Sequence, residues 1–132
     1  MARLLPILLL CAVAGCGGGD GDDPDEVRQV LRDFVEATNQ RDGEALCGDL
    51  LTQEYKEGAT GAAGEQADEA CRQQLDVTTE LKLRLISVGK VEIDGDEATA
   101  RAVIDTDGVE IPRLFMLERE DGKWKLAAGS SG

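Results

Sequence analysis

The stretch LKLRLISVGKVEIDGDEATARAVIDTDGVEIPRLFMLEREDGKWKLAA, residues 81–128, decides the fold. It holds three Asp-Gly pairs, Asp94-Gly95, Asp107-Gly108 and Asp121-Gly122, each between apolar or alternating runs. Asp-Gly favours a two-residue hairpin turn, because both central residues must take positive φ. Three such turns in series predict a four-stranded antiparallel meander, with strands over about 81–93, 96–106, 109–120 and 123–128. Two-residue turns would also set the register, with 93 facing 96, 106 facing 109 and 120 facing 123. One face then collects Leu81, Leu83, Leu85, Val91 and Ile93, the run Ala98, Ala100, Ala102 and Ile104, and Val109, Ile111, Phe115, Leu117, Trp124 and Leu126. That is the core face, and helices must cover it. The opposite face carries Lys82, Arg84, Lys90, Glu92, Arg101, Glu110, Glu118 and Lys125. Opposite charges meet at Glu120–Lys123 and Glu118–Lys125, which supports the register. Pro112 cannot donate a ladder bond and is the place where a bulge would shift it.

Upstream the period changes to that of helices. Asp23, Pro24 and Glu26 form a capping-box start. Val27, Val30, Leu31, Phe34 and Val35 then recur at helical spacing until Arg41-Asp42-Gly43. A second short helix carries Ala45, Leu46, Cys47, Leu50 and Leu51. The small residues from Lys56 to Gly64 read as a mobile loop. A third helix runs near Glu65 to Leu75. Helices followed by a meander make an α+β domain: N-terminal helices packed on a curved four-stranded antiparallel sheet.

Before the domain lies Arg3, then an apolar run from Leu4, then Val13-Ala14-Gly15-Cys16. A basic residue, an apolar stretch and a small-residue cleavage site make a secretory signal. The run is too short for a bilayer, which needs ~20 apolar residues. Ending in Cys, the segment resembles the bacterial lipobox. The resemblance implies a lipidated Cys16 after removal of 1–15, a flexible Gly/Asp tether over 16–23, and a single domain over 24–129. The protein would then be anchored on the outer side of a bacterial membrane. Of four cysteines, Cys11 leaves with the signal and Cys16 takes lipid. Cys47 and Cys71 remain, and a disulfide is the default in an oxidising compartment.

The helix Val27–Asn39 with Arg41-Asp42-Gly43, then Ala45-Leu46-Cys47 with Leu50-Leu51-Thr52, and the closing Asp121-Gly122-Lys123-Trp124-Lys125-Leu126 resemble the nuclear transport factor 2-like superfamily. This is the cone-shaped fold shared with ketosteroid isomerase and polyketide cyclases, and small actinobacterial lipoproteins of this type show a similar pattern with paired cysteines. The chain departs from many members in lacking β-formers between its helices, at Gly58 to Gly64.

The formal charge is −13 and there is no histidine. Nucleic acid and anionic headgroups would be repelled. The usual general base and the commonest metal ligand are missing. Asp20, Asp22, Asp23 and Asp25 lack the Gly and Glu of a calcium loop, so no metal or cofactor is expected. An isomerase-type enzyme needs a buried carboxylate and oxyanion donors. The carboxylates of the sheet fall in turns or on the outer face, and Tyr55, the single tyrosine, lies outside the core face. The expectation is therefore a domain without catalytic residues, binding an unknown small ligand or an envelope protein. An isomerase- or cyclase-type enzyme and a structural envelope subunit are the alternatives. Arg113, Phe115 and Trp124 are the possible pocket residues. Ile86, Val88, Val103, Leu114 and Met116 cluster on the outer face as a possible interface. Cone-fold domains pair through this surface, so the resemblance implies a weak homodimer.

Overall fold

The computed structural model describes residues 24–77 and 82–127. The signal, Cys16, the tether, Asp23 and Leu81 lie outside the described residues. Helix α1 (Pro24–Gln40) is followed by a short π-helix (Ala45–Leu50), α2 (Gln53–Thr60) and α3 (Glu65–Val77). Four strands complete the chain: β1 (Leu83–Asp94), β2 (Glu97–Thr106), β3 (Val109–Glu120) and β4 (Lys123–Leu126). They form one antiparallel sheet in the order β1-β2-β3-β4.

Helix α1 presents Val27, Leu31 and Val35 to the sheet, all buried at helical spacing. Ala98, Ala100 and Ala102 stand buried in the same core as these residues, and alanine side chains let helix and sheet approach closely. α1 ends in a Schellman motif. The Arg41 N–H donates to the Thr38 carbonyl and the Asp42 N–H to the Ala37 carbonyl. Arg41 itself takes the left-handed conformation, with φ +54.

The expected register holds from Thr106↔Val109 through Glu97↔Glu118, and from Glu120↔Lys123 to Leu117↔Leu126. Asp107 and Gly108 both take positive φ, as do Asp121 and Gly122. Pro112 opposes Val103 with no bulge. β4 pairs only with Leu117 to Glu120, so Pro112 lies where β3 has an open edge.

The first hairpin differs. Asp94 pairs with Glu97, so the loop is Gly95-Asp96, and Gly95 alone carries positive φ, as a type II′ turn requires. The register at that end is two residues away from the expected one. Two irregularities in β1, between Leu85 and Ser87 and between Val88 and Val91, remove the difference one residue at a time. Leu85 meets Ile104 as expected, and Val91 and Ile93 keep the core face. Between the irregularities the faces exchange. Val88 opposes Ala102 and packs against the core, which corrects its placement in the outer cluster. Ser87 opposes Val103 instead and is exposed.

Residues 56–60 also differ from expectation, being the helical end of α2 rather than the start of a loop. The Thr52 hydroxyl caps α2 by accepting the Tyr55 N–H at 3.1 Å, and Gly61 ends it with φ +74. Leu51 bridges Leu126, and the Thr52 N–H donates to the Leu126 carbonyl, which ties the start of α2 to β4.

Candidate functional site

Cys47 of the π-helix and Cys71 of α3 form a disulfide, with a Cα–Cα distance of 6.0 Å. Lys56 lies beside this bridge. It is only 4% exposed although it is a lysine. Its ammonium donates to the Cys47 carbonyl at 2.7 Å and pairs with the Asp68 carboxylate at 2.6 Å. A buried charge needs such partners. The disulfide and the lysine together fasten the π-helix, α2 and α3 to one another.

These helices and α1 line a cavity of about 270 Å³ that is about half open to solvent. Phe34, Leu46, Leu51, Leu75 and Cys71 supply its apolar walls, and Thr38, Tyr55, Lys56, Thr60 and Gln74 its polar groups. Phe34 meets Phe115 edge-on at 6.3 Å, so the aromatic pair links the cavity wall to the sheet core. The hydroxyl protons of Thr38 and Thr60 are committed to the carbonyls of Phe34 and Lys56. The Tyr55 hydroxyl has no hydrogen-bond partner among the described residues. The lining residues include no carboxylate, and no group of three metal-ligating side chains converges among the described residues.

The pocket residues expected from sequence are not assembled here. Phe115 and Trp124 are buried as core, and Arg119 stacks over Trp124 at 4.6 Å from the ring centre. Arg113 pairs with Ala102 in the ladder but is exposed, because it stands where β3 has no outer neighbour. Lys56 was not distinguished in sequence, since a lysine in a small-residue segment reads as surface. Its only signal was spacing: four residues after a Thr cap, it faces the same way as that buried cap.

On the outer face of the sheet, Ile86 and Met116 are each 40% exposed, with Val103 and Leu114 half-buried between them. A groove of about 400 Å³ runs past Ser87, Arg101, Val103, Pro112 and Leu114. Nearby, Lys90 pairs with Glu92 at 2.8 Å. The hydrogen bond from Lys90 holds the Glu92 carboxyl below its ordinary titration range, and Glu92 raises Lys90 in return. Lys125 pairs with Glu120 at 3.2 Å, although Glu118 is its ladder partner.

No protein-family model matches the sequence, and no curated relative matches it. Among solved structures, a protein of Novosphingobium aromaticivorans, provisionally named an aromatic ring hydroxylase, superposes with a TM-score of 0.57 at 18% identity. The match covers 80% of this chain and 84% of that one. A nuclear transport factor 2-like protein of Silicibacter pomeroyi gives 0.48 at 16% identity, over 78% and 89% of the two chains. A provisionally named ketosteroid isomerase of Kribbella flavida gives 0.45 at 14% identity, over 78% and 76%. At these identities the likeness is one of fold. It nonetheless corrects the expectation of a non-catalytic domain, because the frame is shared with a protein that bears an enzyme name. That expectation also rested on Tyr55 lying away from any pocket, whereas Tyr55 lines the helix-side cavity. The chain is an α+β domain of helices on a four-stranded meander, with nuclear transport factor 2-like proteins among its structural neighbours.

Proposed function

We propose that this protein is a lipid-anchored, extracytoplasmic domain that takes a small ligand in its helix-side cavity. The observation that carries the binding reading is the cavity itself, apolar over most of its wall with Tyr55 among its lining residues. The Cys47–Cys71 disulfide supports an oxidising compartment. The lipobox-like Val13-Ala14-Gly15-Cys16 supports the anchor. A second reading, an isomerase- or cyclase-type enzyme in the same cavity, is favoured by the Tyr55 hydroxyl as a donor able to polarise a carbonyl.

Two experiments test the proposal. Cys16→Ala is expected to abolish incorporation of a clickable fatty acid in cells and to release the protein from the membrane; equal labelling of variant and wild type would remove the anchor. Native mass spectrometry of the protein taken from the envelope is expected to show a bound small molecule, lost in Ala59→Trp, which fills the cavity from α2. Identical bare masses for the two would contradict the binding reading.

The outer sheet face is proposed as a surface for weak self-association. Keeping Ile86, Val103, Leu114 and Met116 in water forfeits ~25 cal/mol per Å² of apolar area. Leu114→Glu is expected to abolish concentration-dependent sedimentation without loss of circular dichroism. A wild-type protein that stays monomeric at high concentration would remove the homodimer.

A further inference from the structure

Two depressions on the outer face of the sheet meet at one ladder pair. The groove of about 400 Å³ is walled mainly by Gly89, Ala102, Val103, Pro112 and Leu114. A second depression, of about 420 Å³, carries Lys90, Glu92 and Thr99. Arg101 and Leu114 oppose each other in the ladder and line both. A mostly apolar groove therefore runs up to a charged one, with Arg101 at the junction.

The charges of the apolar groove are unbalanced. Its ionised side chains are Arg101 and Arg113, and no carboxylate lines it. Three other arginines hold carboxylates: Arg28 has Asp25 at 3.1 Å, Arg84 has Asp105 at 3.4 Å and Arg119 has Asp96 at 3.5 Å. Arg101 and Arg113 have no ion-pair or hydrogen-bond partner among the described residues. Carboxylates on the same face are already engaged. Lys90 holds Glu92 at 2.8 Å, and Asp105 takes Arg84 and the Gly108 N–H. The chain has 27 acidic and 14 basic side chains, so two unpaired guanidinium groups on one groove reverse its prevailing sign there.

That combination selects a ligand class. A guanidinium donates through a planar fork that matches the two oxygens of a carboxylate. The strip of Val103, Pro112 and Leu114 beside it gains from covering by hydrocarbon. A cationic ligand would meet two like charges. One negative charge suits the site better than two, because Arg113 lines the groove from the open edge of β3 and the chain's net charge of −13 opposes a second.

We propose that this groove binds an amphipathic carboxylate, with its head on the Arg101 guanidinium and its hydrocarbon part along Val103, Pro112 and Leu114. The site is complete within one copy of the chain and shares no residue with the helix-side cavity.

The test uses the full chain in phosphatidylcholine nanodiscs, with ¹³C-labelled valine and leucine methyls. Val103 and Leu114 also belong to the surface proposed for self-association, so titrations are run where the protein sediments as one species. Phenylacetate is expected to shift the Val103 and Leu114 methyls saturably. Phenylacetamide has the same ring with a neutral head and should bind about fivefold more weakly, the upper scale of an exposed ion pair. Acetate, the head without the ring, should also bind more weakly than phenylacetate. High salt should weaken phenylacetate and leave phenylacetamide unchanged. Arg101→Gln should bring phenylacetate down to the level of phenylacetamide without changing circular dichroism, since Arg101 is exposed and serves no partner. A Cβ at Gly89 meets nothing closer than 3.5 Å, so Gly89→Leu can fill the groove and should block both probes. Equal binding of phenylacetate and phenylacetamide, or an unchanged preference in Arg101→Gln, would overturn the anionic head. Acetate binding as tightly as phenylacetate would overturn the apolar strip, and tighter binding of phenyl phosphate would overturn the carboxylate. Shifts confined to Leu46, Leu51 and Leu75 would put the ring in the helix-side cavity and overturn the groove. Failure of every probe to move Val103 and Leu114 would overturn it as well.

Discussion

Replacing Cys47 and Cys71 together by alanine is expected to lower the free energy of unfolding by about 3 kcal/mol. The bridge closes a loop spanning a separation of 24 residues, and the loss is mainly of constraint on the unfolded chain. The folded state contributes as well. Among the described side chains of α3, Ala67 is the one buried residue, with Ala70, Cys71 and Leu75 partly buried, so the helix holds to the domain largely through the bridge and the Lys56–Asp68 pair. Urea denaturation should show a lower midpoint, and amide exchange in α3 should accelerate more than exchange in β2 and β3. A loss below about 1 kcal/mol with uniform exchange would mean that α3 is held by packing alone.

Lys56→Ala is expected to cost about 2–3 kcal/mol. Removing one partner of a buried ion pair costs ~3–5 kcal/mol when the other charge stays buried. Asp68 is 31% exposed and can recover some water, which reduces the figure. The Cys47 carbonyl also loses its donor. Lys56→Met keeps the apolar stem and should cost less than Lys56→Ala. Adding Asp68→Ala to Lys56→Ala should cost little more, as coupled partners are non-additive. If Lys56→Ala stays within about 0.5 kcal/mol of wild type in chemical denaturation, the ammonium is solvated in solution and the three-helix clasp is absent.

The sheet was legible because its turn chemistry is local. Asp107-Gly108 and Asp121-Gly122 each supply two positive-φ residues at a fixed spacing, and alternation then sorts the side chains of β2, β3 and β4. β1 was not, because Gly95 opens the first turn one residue later and the strand absorbs the difference in two irregularities. The second irregularity holds Gly89, a residue type that marks bulges, whereas the first, at Ile86, has no such sign; the exchange of faces between them moved Val88 inward and Ser87 outward. Helix α1 and the disulfide partners could be read from spacing and compartment. α2 could not, since Gly58, Ala59 and Gly61 outweigh a Thr cap in any local reading. The candidate site was legible least of all. Its walls come from four separate helical segments, and Lys56 is buried through Asp68 and the Cys47 carbonyl, contacts that exist only after the helices pack. Phe115 and Trp124 carry the aromatic mass that suggested a pocket, yet the core uses both.

If the helix-side cavity is where this protein meets its ligand, a molecule should be found there. A crystal structure of the protein purified from the envelope tests it most directly. Non-protein density is expected between Phe34, Tyr55 and Leu75. A cavity closed by the Tyr55 ring, with its hydroxyl bonded to the protein's own backbone, would contradict it.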